Sequence, residues 1–404
     1  MDNKLLNKLH LKGFLSFGPG SEPVELTRLN VLIGPNGVGK SNFLEAIELL
    51  HATPTDLPGA IRAGGRPMDW IWKAGSPANT AMIDARLAPQ GELRELAYRL
   101  VFTETGNRVE IVDEALEEAV RTDPTKADVF FYYRFQDGRP AINVREFDSD
   151  APNGERYFER RLRRESINPE QSVLKQKRDE EHYPELFETA RRFEAIQIFR
   201  EWGFGRSATL RQPQPADLPT ESLLPKLENL GLVLNSLEHT ARWTRLEETM
   251  SRFLPRFKRI STKVVSGGAV QIYLHENNIE TPLPATRLSD GTLRFMSLLG
   301  ILLNADSASL LCIEEPELGL HPDAMSLMAD LLVEASEKTQ LIVTTHSDVL
   351  VSALTEHTEC VLVCDYLENG TTLQRLEREK LKFWLEKYRL GEVWRLGKIG
   401  GNLW

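Results

Sequence analysis

A lysine and a serine stand side by side at the end of a glycine-rich run, an arrangement suited to binding phosphate. The run consists of Gly34, Pro35, Asn36, Gly37, Val38, Gly39, Lys40 and Ser41, and Asn42 follows it. Glycines let the main chain curl so that successive N–H groups face an anion. The Lys40 ammonium can offset charge on the β- and γ-phosphates, and the Ser41 hydroxyl can ligate Mg²⁺. The run and Asn42 therefore predict a site for a nucleoside triphosphate with Mg²⁺.

Two acids and a histidine further along the chain can supply the chemistry of hydrolysis. Glu314 and Glu315 follow the apolar run 310–313, and His346 follows the apolar run 341–343 and two threonines. Glu314 is placed to hold Mg²⁺ together with Ser41, although this position more often carries Asp. Glu315 can polarise the water that attacks the γ-phosphate, and His346 can hydrogen-bond that phosphate. We predict Glu315 and His346 as the catalytic residues.

A short polar sequence before the acids offers a second anion contact. Ser289, Asp290 and Gly291 precede apolar residues at helical spacing, and Ser289 stands 25 residues before Glu314. Ser289 suits the cap of a helix start, and Gly291 allows the main chain to approach an anion. Ser-Asp-Gly also occurs in ordinary turns, so its position before the acids is what makes it informative.

The order of these motifs resembles that of ABC-type ATPases. The sequence resembles most the branch of this family with SMC, RecF-type and OLD-family proteins, near stand-alone bacterial ATPases of AAA type. Three features carry this resemblance: Asn36 in the glycine-rich run, residues 315–322 and residues 344–347. The resemblance implies ATP and Mg²⁺ as cofactors and a homodimer in the ATP state. In such a dimer Ser289, Asp290 and Gly291 of one subunit cover the nucleotide of the other. Relatives of this branch act in DNA repair, genome maintenance and antiviral defence.

The elements that must position these motifs predict an α/β fold. The run 29–33 suits a buried strand and residues 42–50 a helix, which together frame a P-loop. Residues 79–149 alternate with period two between turns and predict an antiparallel lobe. We expect a P-loop NTPase with an ABC-ATPase-like two-lobed head. Its predicted segments are 1–78 with the P-loop, 79–149 with the antiparallel strands, 150–260 as a helical insertion, and 261–404 with the remaining motifs.

Composition limits the classes of protein that fit. The chain has 404 residues, a net charge of −10 and 41% hydrophobic residues, as in ordinary water-soluble proteins. No apolar run is long enough for a transmembrane helix, so we expect a cytoplasmic protein without a membrane partner. Three cysteines fit a reducing compartment. Cys360 and Cys364 have the look of half a zinc site, but their apolar surroundings favour core packing.

Two basic clusters are candidates for nucleic-acid contact. Glutamates interrupt the first, so a solvated helix face explains it equally well; its members are Arg156, Arg160, Arg161, Arg163 and Arg164. The second has no acid within it and alternates with Phe253 and Phe257; its members are Arg252, Arg256, Lys258, Arg259 and Lys263. We predict the second cluster as the site for duplex DNA, if the protein binds DNA.

Two functional hypotheses follow. In the first, the protein is an ATP-hydrolysing switch that dimerises around ATP and acts on DNA or on a separately encoded nuclease or effector. In the second, it is a low-turnover scaffold that gates such a nuclease or toxin, for which Glu314 in place of Asp is the sequence hint. A transporter ATPase is disfavoured by Asn36 and by His321, which stands where transporters carry Asp. The glutamine that contacts the metal in relatives has three candidates, Gln197, Gln212 and Gln214.

Overall fold

The chain forms two units. The first comprises Met1–Ile196, Cys360–Leu376 and Ile399–Trp404, and the second comprises Gln197–Glu359 and Glu377–Lys398. The structure is a computed structural model that describes residues 4–75, 78–91, 93–121, 128–136, 138–149 and 155–401. The glycine-rich run therefore belongs to the first unit, and Glu314, Glu315, His346 and the Ser289 segment belong to the second.

Strands and helices alternate through much of the chain. The strands are β1 Leu6–Lys12, β2 Val24–Glu25, β3 Leu29–Ile33, β4 Ala81–Leu87, β5 Leu96–Thr105, β6 Arg108–Glu118, β7 Phe131–Gln136, β8 Arg139–Phe147, β9 Glu155–Arg161, β10 Ile196–Phe199, β11 Phe257–Val264, β12 Val270–Glu276, β13 Leu283–Pro284, β14 Leu310–Glu314, β15 Gln340–Thr344, β16 Val361–Leu367 and β17 Gly370–Arg375. The α-helices are α1 Lys40–Ala52, α2 Leu57–Ala63, α3 Val173–Gln176, α4 Pro184–Glu194, α5 Leu230–Leu237, α6 Arg242–Phe253, α7 Asp290–Leu303, α8 Met325–Ser336, α9 Asp348–Ala353, α10 Arg378–Leu385 and α11 Leu390–Arg395.

An antiparallel sheet makes up most of the first unit. Its strand order is β2-β1-β4-β5-β6-β7-β8-β9. Along β4, buried and half-buried residues alternate strictly, because one face of the sheet packs on the core. Beside this sheet β3 pairs in parallel with β16, and β16 pairs antiparallel with β17. The five residues of β3 are all buried, as its uninterrupted apolar run predicts.

Parallel strands at the centre of the second unit place the acids and the histidine. β14 pairs in parallel with β15, so that Glu314 stands opposite Thr344. β10 lies next to β14, and β11, β12 and β13 form a separate antiparallel sheet. The helix α7 is buried from Leu293 to Leu303, so the Ser289 segment is joined to a rigid core element. Since the carboxyl ends of parallel strands meet at one edge of a sheet, the polar residues after β14 and β15 come together.

The predicted α/β P-loop fold is confirmed, and one predicted element differs in kind. Residues 150–260 hold strands as well as helices, because β9 pairs with β8 and extends the antiparallel sheet past residue 149. Arg156, Arg160 and Arg161 therefore lie on a strand, and the explanation of their cluster as a helix face is wrong. Arg156 and the residues from Phe158 to Arg161 are all exposed, so this strand carries no alternation of buried and exposed residues by which its sequence could be read. The four segment boundaries themselves stay predictions.

Two further expectations bear on the surroundings of the site. Cys360 and Cys364 are buried, as core packing predicts, and burial raises the pKa of the Cys364 thiol to about 12. Within the described ranges, no helix has the length and apolar character that crossing a membrane requires.

Candidate functional site

The glycine-rich run forms a loop between β3 and α1 that only glycine permits at two of its positions. Gly34 has φ of +147° and Gly39 has φ of +108°. A Cβ on Gly34 would lie 2.3 Å from the carbonyl oxygen of Cys364, and one on Gly39 would meet the side chains of Thr371 and Ser16. Both glycines thus let the loop pass close to β16 and β17. The loop shape is fixed by packing inside the first unit.

Side chains of the loop make contacts that hold it in place. Lys40 is buried, and its Nζ donates to the carbonyl oxygens of Gly34 and Pro35, each at 2.8 Å. The Asn42 amide donates to Ser16 Oγ at 2.7 Å. The Thr371 hydroxyl lies 2.7 Å from the carbonyl oxygen of Val38. Lys40 therefore sits where it closes the loop on itself, and Asn42 faces a neighbouring serine.

The start of α1 fits an anion. Gly39 is the residue before the helix and offers no side-chain cap, and the first turn contains no acid. The helix dipole favours negative charge at this helix start, and no acidic side chain of the first turn competes for that position. A phosphate suits such a position. Ser41 and Asn36 are exposed at this loop, as a ligand site needs.

The second unit brings Glu315 and His346 together. Glu315 follows β14, and its N–H donates to the carbonyl oxygen of Thr344 at 3.0 Å. Its φ is +47°, a value that a residue with a Cβ seldom adopts. His346 Nε2 lies 3.4 Å from Glu315 Oε1, and about a third of each side chain is exposed. A strained, half-exposed carboxylate beside an imidazole is an arrangement typical of functional sites.

Glu317 fixes the main chain that carries His346. Its Oε1 accepts hydrogen bonds from the Thr345 hydroxyl at 2.6 Å and from the His346 N–H at 2.9 Å. The other oxygen, Oε2, is buried without a hydrogen-bond partner among the described residues. Glu317 lies in the phrase that carried the family resemblance, but its anchoring contact depends on β14 and β15 being neighbours. Sequence spacing alone gives no sign of it.

The Glu314 carboxylate is engaged by an arginine. Arg200 Nε donates to Glu314 Oε2 at 2.9 Å, and the Trp202 indole N–H donates to the Glu314 main-chain oxygen at 2.8 Å. The Glu314 carboxylate in the second unit and the Ser41 hydroxyl in the first unit are each an oxygen donor of a kind that Mg²⁺ takes in proteins, usually together with substrate phosphates and water. Within the described residues, no group of three or more acidic, histidine or cysteine side chains could hold a metal. The donor types fit Mg²⁺ bound with a nucleotide rather than a metal site made of protein alone.

The Ser289 segment begins α7 as predicted. The Ser289 hydroxyl accepts a hydrogen bond from the Thr292 N–H at 3.1 Å and so caps the helix. Asp290 is ion-paired with the buried Arg211, whose side-chain hydrogen bond lowers the pKa of the Asp290 carboxyl. A Cβ on Gly291 would lie 3.1 Å from the carbonyl oxygen of Gly319, which explains the small residue.

Arg211 is a structural centre that the sequence did not reveal. Besides Asp290, it donates to the carbonyl oxygens of Gly205 at 2.8 Å, Ala285 at 3.0 Å and Leu288 at 2.7 Å. A buried guanidinium with several oxygen partners holds irregular chain rigidly. Of the three candidate glutamines, Gln197 donates to the Ser307 hydroxyl, Gln212 is exposed, and the buried Gln214 donates to the Leu210 carbonyl oxygen and accepts from the Gly231 N–H.

The second basic cluster spans the end of α6 and the strand β11. Arg252 lies 3.7 Å from Asp330, and Arg256 lies 3.4 Å from Glu276. The remaining cations are exposed; they are Lys258, Arg259 and Lys263. The two aromatic residues of the cluster do not face solvent with them, because Phe257 is buried and Phe253 stacks on Phe295 at 4.0 Å between ring centroids. The surface thus offers charge for phosphates, whereas its two aromatic rings take part in packing within the protein.

Fold and sites together define a P-loop ATPase of the ABC type, in the branch that contains SMC and RecF-like proteins. The sequence belongs to the family described as "AAA domain, putative AbiEii toxin, Type IV TA system", which it matches over residues 29–352. That stretch runs from β3 to α9 and includes every motif residue named above. The resemblance predicted from the motifs is therefore confirmed. No curated protein matches the sequence significantly.

Solved structures support the same fold. An Smc head bound to the C-winged helix domain of ScpA aligns with a TM-score of 0.56 at 16% identity, over 93% of this chain and 99% of that one. A Pyrococcus furiosus Smc head with an extended coiled coil, bound to the C-terminal domain of ScpA, gives 0.51 at 16% identity over 95% and 99%. An Smc head with coiled coil and joint from Pyrococcus yayanosii gives 0.50 at 13% identity over 95% and 99%. At such identities the likeness shows the fold alone.

Proposed function

We propose that this protein is an ATP-hydrolysing switch that dimerises around ATP and releases the dimer on hydrolysis. The observation that carries the proposal is the Glu315–His346 pair at 3.4 Å, held after adjacent parallel strands. The family match supports it, because it joins this pair and the P-loop in one domain. The chain's role in DNA repair or antiviral defence follows from its family context and is proposed on that ground.

The residues of the chain divide the work of hydrolysis. Lys40 leaves the carbonyl oxygens of Gly34 and Pro35 and pairs with phosphate oxygens, a change that exchanges neutral acceptors for charged ones. Glu315 accepts the proton of the attacking water, and His346 donates to the phosphate that water attacks. Bound Mg²⁺ would offset phosphate charge, with Ser41 and Glu314 as its proposed protein ligands. Ser289, Asp290 and Gly291 would cover the nucleotide of the partner subunit.

The partners we propose are a second copy of the chain in the ATP state, duplex DNA, and a separately encoded nuclease or effector. The family description names a toxin and a toxin–antitoxin system, which supports an effector of that kind. Two of the similar Smc heads bind ScpA, so heads of this fold do accept a protein partner. One observation favours the alternative of a low-turnover scaffold that gates the effector: the Glu314 carboxylate is tied to Arg200.

The test is steady-state ATP hydrolysis by wild type and by Glu315→Gln, each with and without duplex DNA. Loss of the proton acceptor should lower turnover by about 10²-fold or more, since general-base catalysis contributes about that much. ATP should then hold the variant as a dimer, which sedimentation measures. Glu334→Gln serves as the control, because this acid of the same unit pairs with Arg245 on another helix.

The outcomes separate the candidates. DNA-stimulated turnover that vanishes in Glu315→Gln supports the switch acting on DNA. Turnover that is slow, independent of DNA and accompanied by a stoichiometric co-purifying protein supports the scaffold. A Glu315→Gln variant that hydrolyses ATP as fast as wild type contradicts the assignment of Glu315 as the proton acceptor, and failure of wild type to bind ATP contradicts the proposal as a whole.

A further inference from the structure

The strand β9 is the last strand of the antiparallel sheet in the first unit, and among the described strands it pairs only with β8. Arg145 stands opposite Tyr157 in that pairing, yet its N–H donates to the carbonyl oxygen of His182 and so points away from β9. In an antiparallel pair such outward-facing positions alternate with hydrogen-bonded ones. The N–H and carbonyl groups of Tyr157, Glu159 and Arg161 therefore point away from β8, where no described strand meets them. We call this side of β9 the open edge.

Packing on one face of β9 holds the open edge in place. The Tyr157 ring lies 5.4 Å from the Phe130 ring and 5.9 Å from the Tyr132 ring between centroids, both in edge-to-face geometry. The Tyr157 hydroxyl also donates to Glu185 Oε1 at 2.5 Å. A strand that is already ordered lowers the entropy cost of binding, because only the incoming segment has to be fixed.

The other face of β9 carries an exposed aromatic ring beside an exposed arginine. Phe158 is 44% exposed, and Arg160 follows it on the same face of the strand. Both line an open groove of about 580 Å³, together with Val144 and Tyr183. Charges alone protect the edge of a sheet from pairing with other chains, whereas an exposed ring next to the edge favours apolar contact with one. The open edge thus has the features of a binding surface.

Charge restricts the kind of strand that can pair with the open edge. Residues 155–164 contain five arginines and two glutamates. Arg156 lies 3.5 Å from Asp148, whereas Arg160 and Arg161 make no ion pair with any described residue. A second copy of this chain, paired through its own β9, would bring arginines against arginines, which is destabilising. An acidic strand would instead pair with them.

Carboxylates in the same groove disfavour nucleic acid as the occupant. Glu146 and Asp179 line the groove with Arg160. Hydrogen bonds from the main chain and side chain of His182 lower the pKa of the Asp179 carboxyl, so that it stays ionised. A continuous row of phosphates would be repelled by these acids. The side chains of an added strand alternate, so one acid can lie beside Arg160 and an apolar side chain beside Phe158.

We propose that the open edge of β9 is a docking site for an extended acidic segment of a partner protein, which adds to the sheet as a further strand. The main chain of the segment pairs with the outward groups of Tyr157, Glu159 and Arg161. An acidic side chain lies beside Arg160, and an apolar side chain two residues away lies beside Phe158. This inference goes beyond the proposed function and requires no ATP.

The first test measures binding of a probe peptide to the full chain by fluorescence anisotropy, without nucleotide. The probe is fluorescein-labelled Thr-Glu-Thr-Val-Thr-Glu-Thr, whose glutamates flank the valine so that either strand direction satisfies the pattern. Arg160→Glu should weaken binding about tenfold or more, because it places like charges side by side. Arg62→Glu, which reverses an exposed arginine on α2 of the same unit, should bind the probe as wild type does. A probe with lysines in place of both glutamates should bind Arg160→Glu more tightly than wild type, which also shows that the variant is folded.

The second test distinguishes an added strand from attraction between charges alone. In an added strand, alternate N–H groups face the open edge and the solvent. Two probes methylated on alternate main-chain nitrogens carry the same charge, and one should bind like the parent while the other should not bind. Hydrogen exchange followed by mass spectrometry should also show slower exchange of the β9 amides when the parent probe is present. Equal binding of the two methylated probes, or unchanged exchange in β9, would overturn the inference.

The same assays decide between the proposed segment and other occupants. A single-stranded oligonucleotide whose binding is weakened by Arg160→Glu but not by Arg62→Glu, with no binding of the probe peptide, would assign the edge to nucleic acid and overturn the inference. Self-association of the chain that Arg160→Glu abolishes would assign the edge to a second copy. Absence of probe binding at millimolar concentration would overturn the inference even if the protein hydrolyses ATP. Probe binding by a protein that does not bind ATP would leave the inference standing while the proposed function fails.

Discussion

At the scale of single residues, the buried acid Glu114 shows how burial changes the pKa of a side chain. Its Oε1 accepts from the Tyr98 hydroxyl at 2.7 Å and from the Ser172 hydroxyl, and its Oε2 accepts from the Val173 N–H at 2.9 Å. These contacts join β6 to the start of α3. Burial nevertheless dominates and raises the pKa of Glu114 to about 7. The folded state therefore keeps a proton that the unfolded chain releases.

This raised pKa predicts the direction of a pH effect on stability. Between about pH 4.5 and about pH 7 the folded state binds more protons at Glu114 than the unfolded state, so the free energy of unfolding falls as pH rises. The loss is about 3 kcal/mol in total and ends above the folded pKa. Urea unfolding at pH 5 and pH 7.5 measures it. Glu114→Gln should reduce the difference between the two pH values, while the exposed Glu165→Gln should leave it as in wild type; equal differences in all three proteins would contradict the prediction.

At the scale of elements, the P-loop depends on strands that follow it by more than 300 residues. Gly34 passes the carbonyl oxygen of Cys364 in β16, and Gly39 passes Thr371 in β17. Both glycines therefore contact strands that come much later in the sequence than the loop itself. The loop between β3 and α1 is thus shaped by a hairpin remote in sequence as well as by its own glycines.

The close approach at Gly34 predicts the cost of adding a methyl group. In Gly34→Ala the new Cβ would lie 2.3 Å from a main-chain oxygen, at a backbone φ of +147°. Since neither the oxygen nor the φ can adjust cheaply, we expect the free energy of unfolding to fall by about 1–3 kcal/mol. Denaturant unfolding monitored by circular dichroism is the measurement. Gly20→Ala is the control, because a Cβ there meets no atom within 4 Å. A Gly34→Ala protein as stable as that control would contradict the prediction and would show that the β16–β17 hairpin can shift to accommodate the added Cβ.

At the scale of the whole molecule, charge decides where nucleic acid could bind. The net charge of −10 disfavours general attraction to DNA. The exposed cations of β11 stand out locally: burial lowers the pKa of His275 on the paired strand, and Arg259 and Lys258 lower it further. This local positive potential is the structural reason to keep the second basic cluster as the proposed DNA contact.

The cluster makes a prediction about salt dependence. The double variant Lys258→Ala/Arg259→Ala should bind duplex DNA more weakly than wild type, and the slope of log affinity against log salt should become shallower by about two. Fluorescence anisotropy at several salt concentrations gives both quantities. Lys380→Ala/Lys382→Ala on α10 removes the same charge elsewhere in the second unit. If both double variants lose affinity equally, net charge alone governs binding and the cluster has no special role.

The sequence by itself determined the parts of this protein whose physics is local. Neighbouring residues determine the buried strand β3, the glycine-rich turn after it and the helix that begins at Lys40. They also determine the apolar strand before Glu314 and the helix cap at Ser289. Such features depend on backbone freedom, period and capping, all of which act within a few residues. That is why the α/β fold, the family and the positions of these motifs could be predicted.

Only the tertiary structure decided which side chains restrain those motifs. Arg200 on Glu314, Arg211 on Asp290, Glu317 on His346 and Thr371 on the P-loop are contacts across long sequence separations. An arginine in a charged stretch carries no local mark of the carboxylate it will meet, because that choice depends on which strands become neighbours. The same reason hid the strand character of β9, the burial of Phe257 and the stacking of Phe253 on Phe295. The residue types indicated which side chains could bind phosphate and metal or act on water, whereas the packing of strands and helices determines which other side chains restrain them.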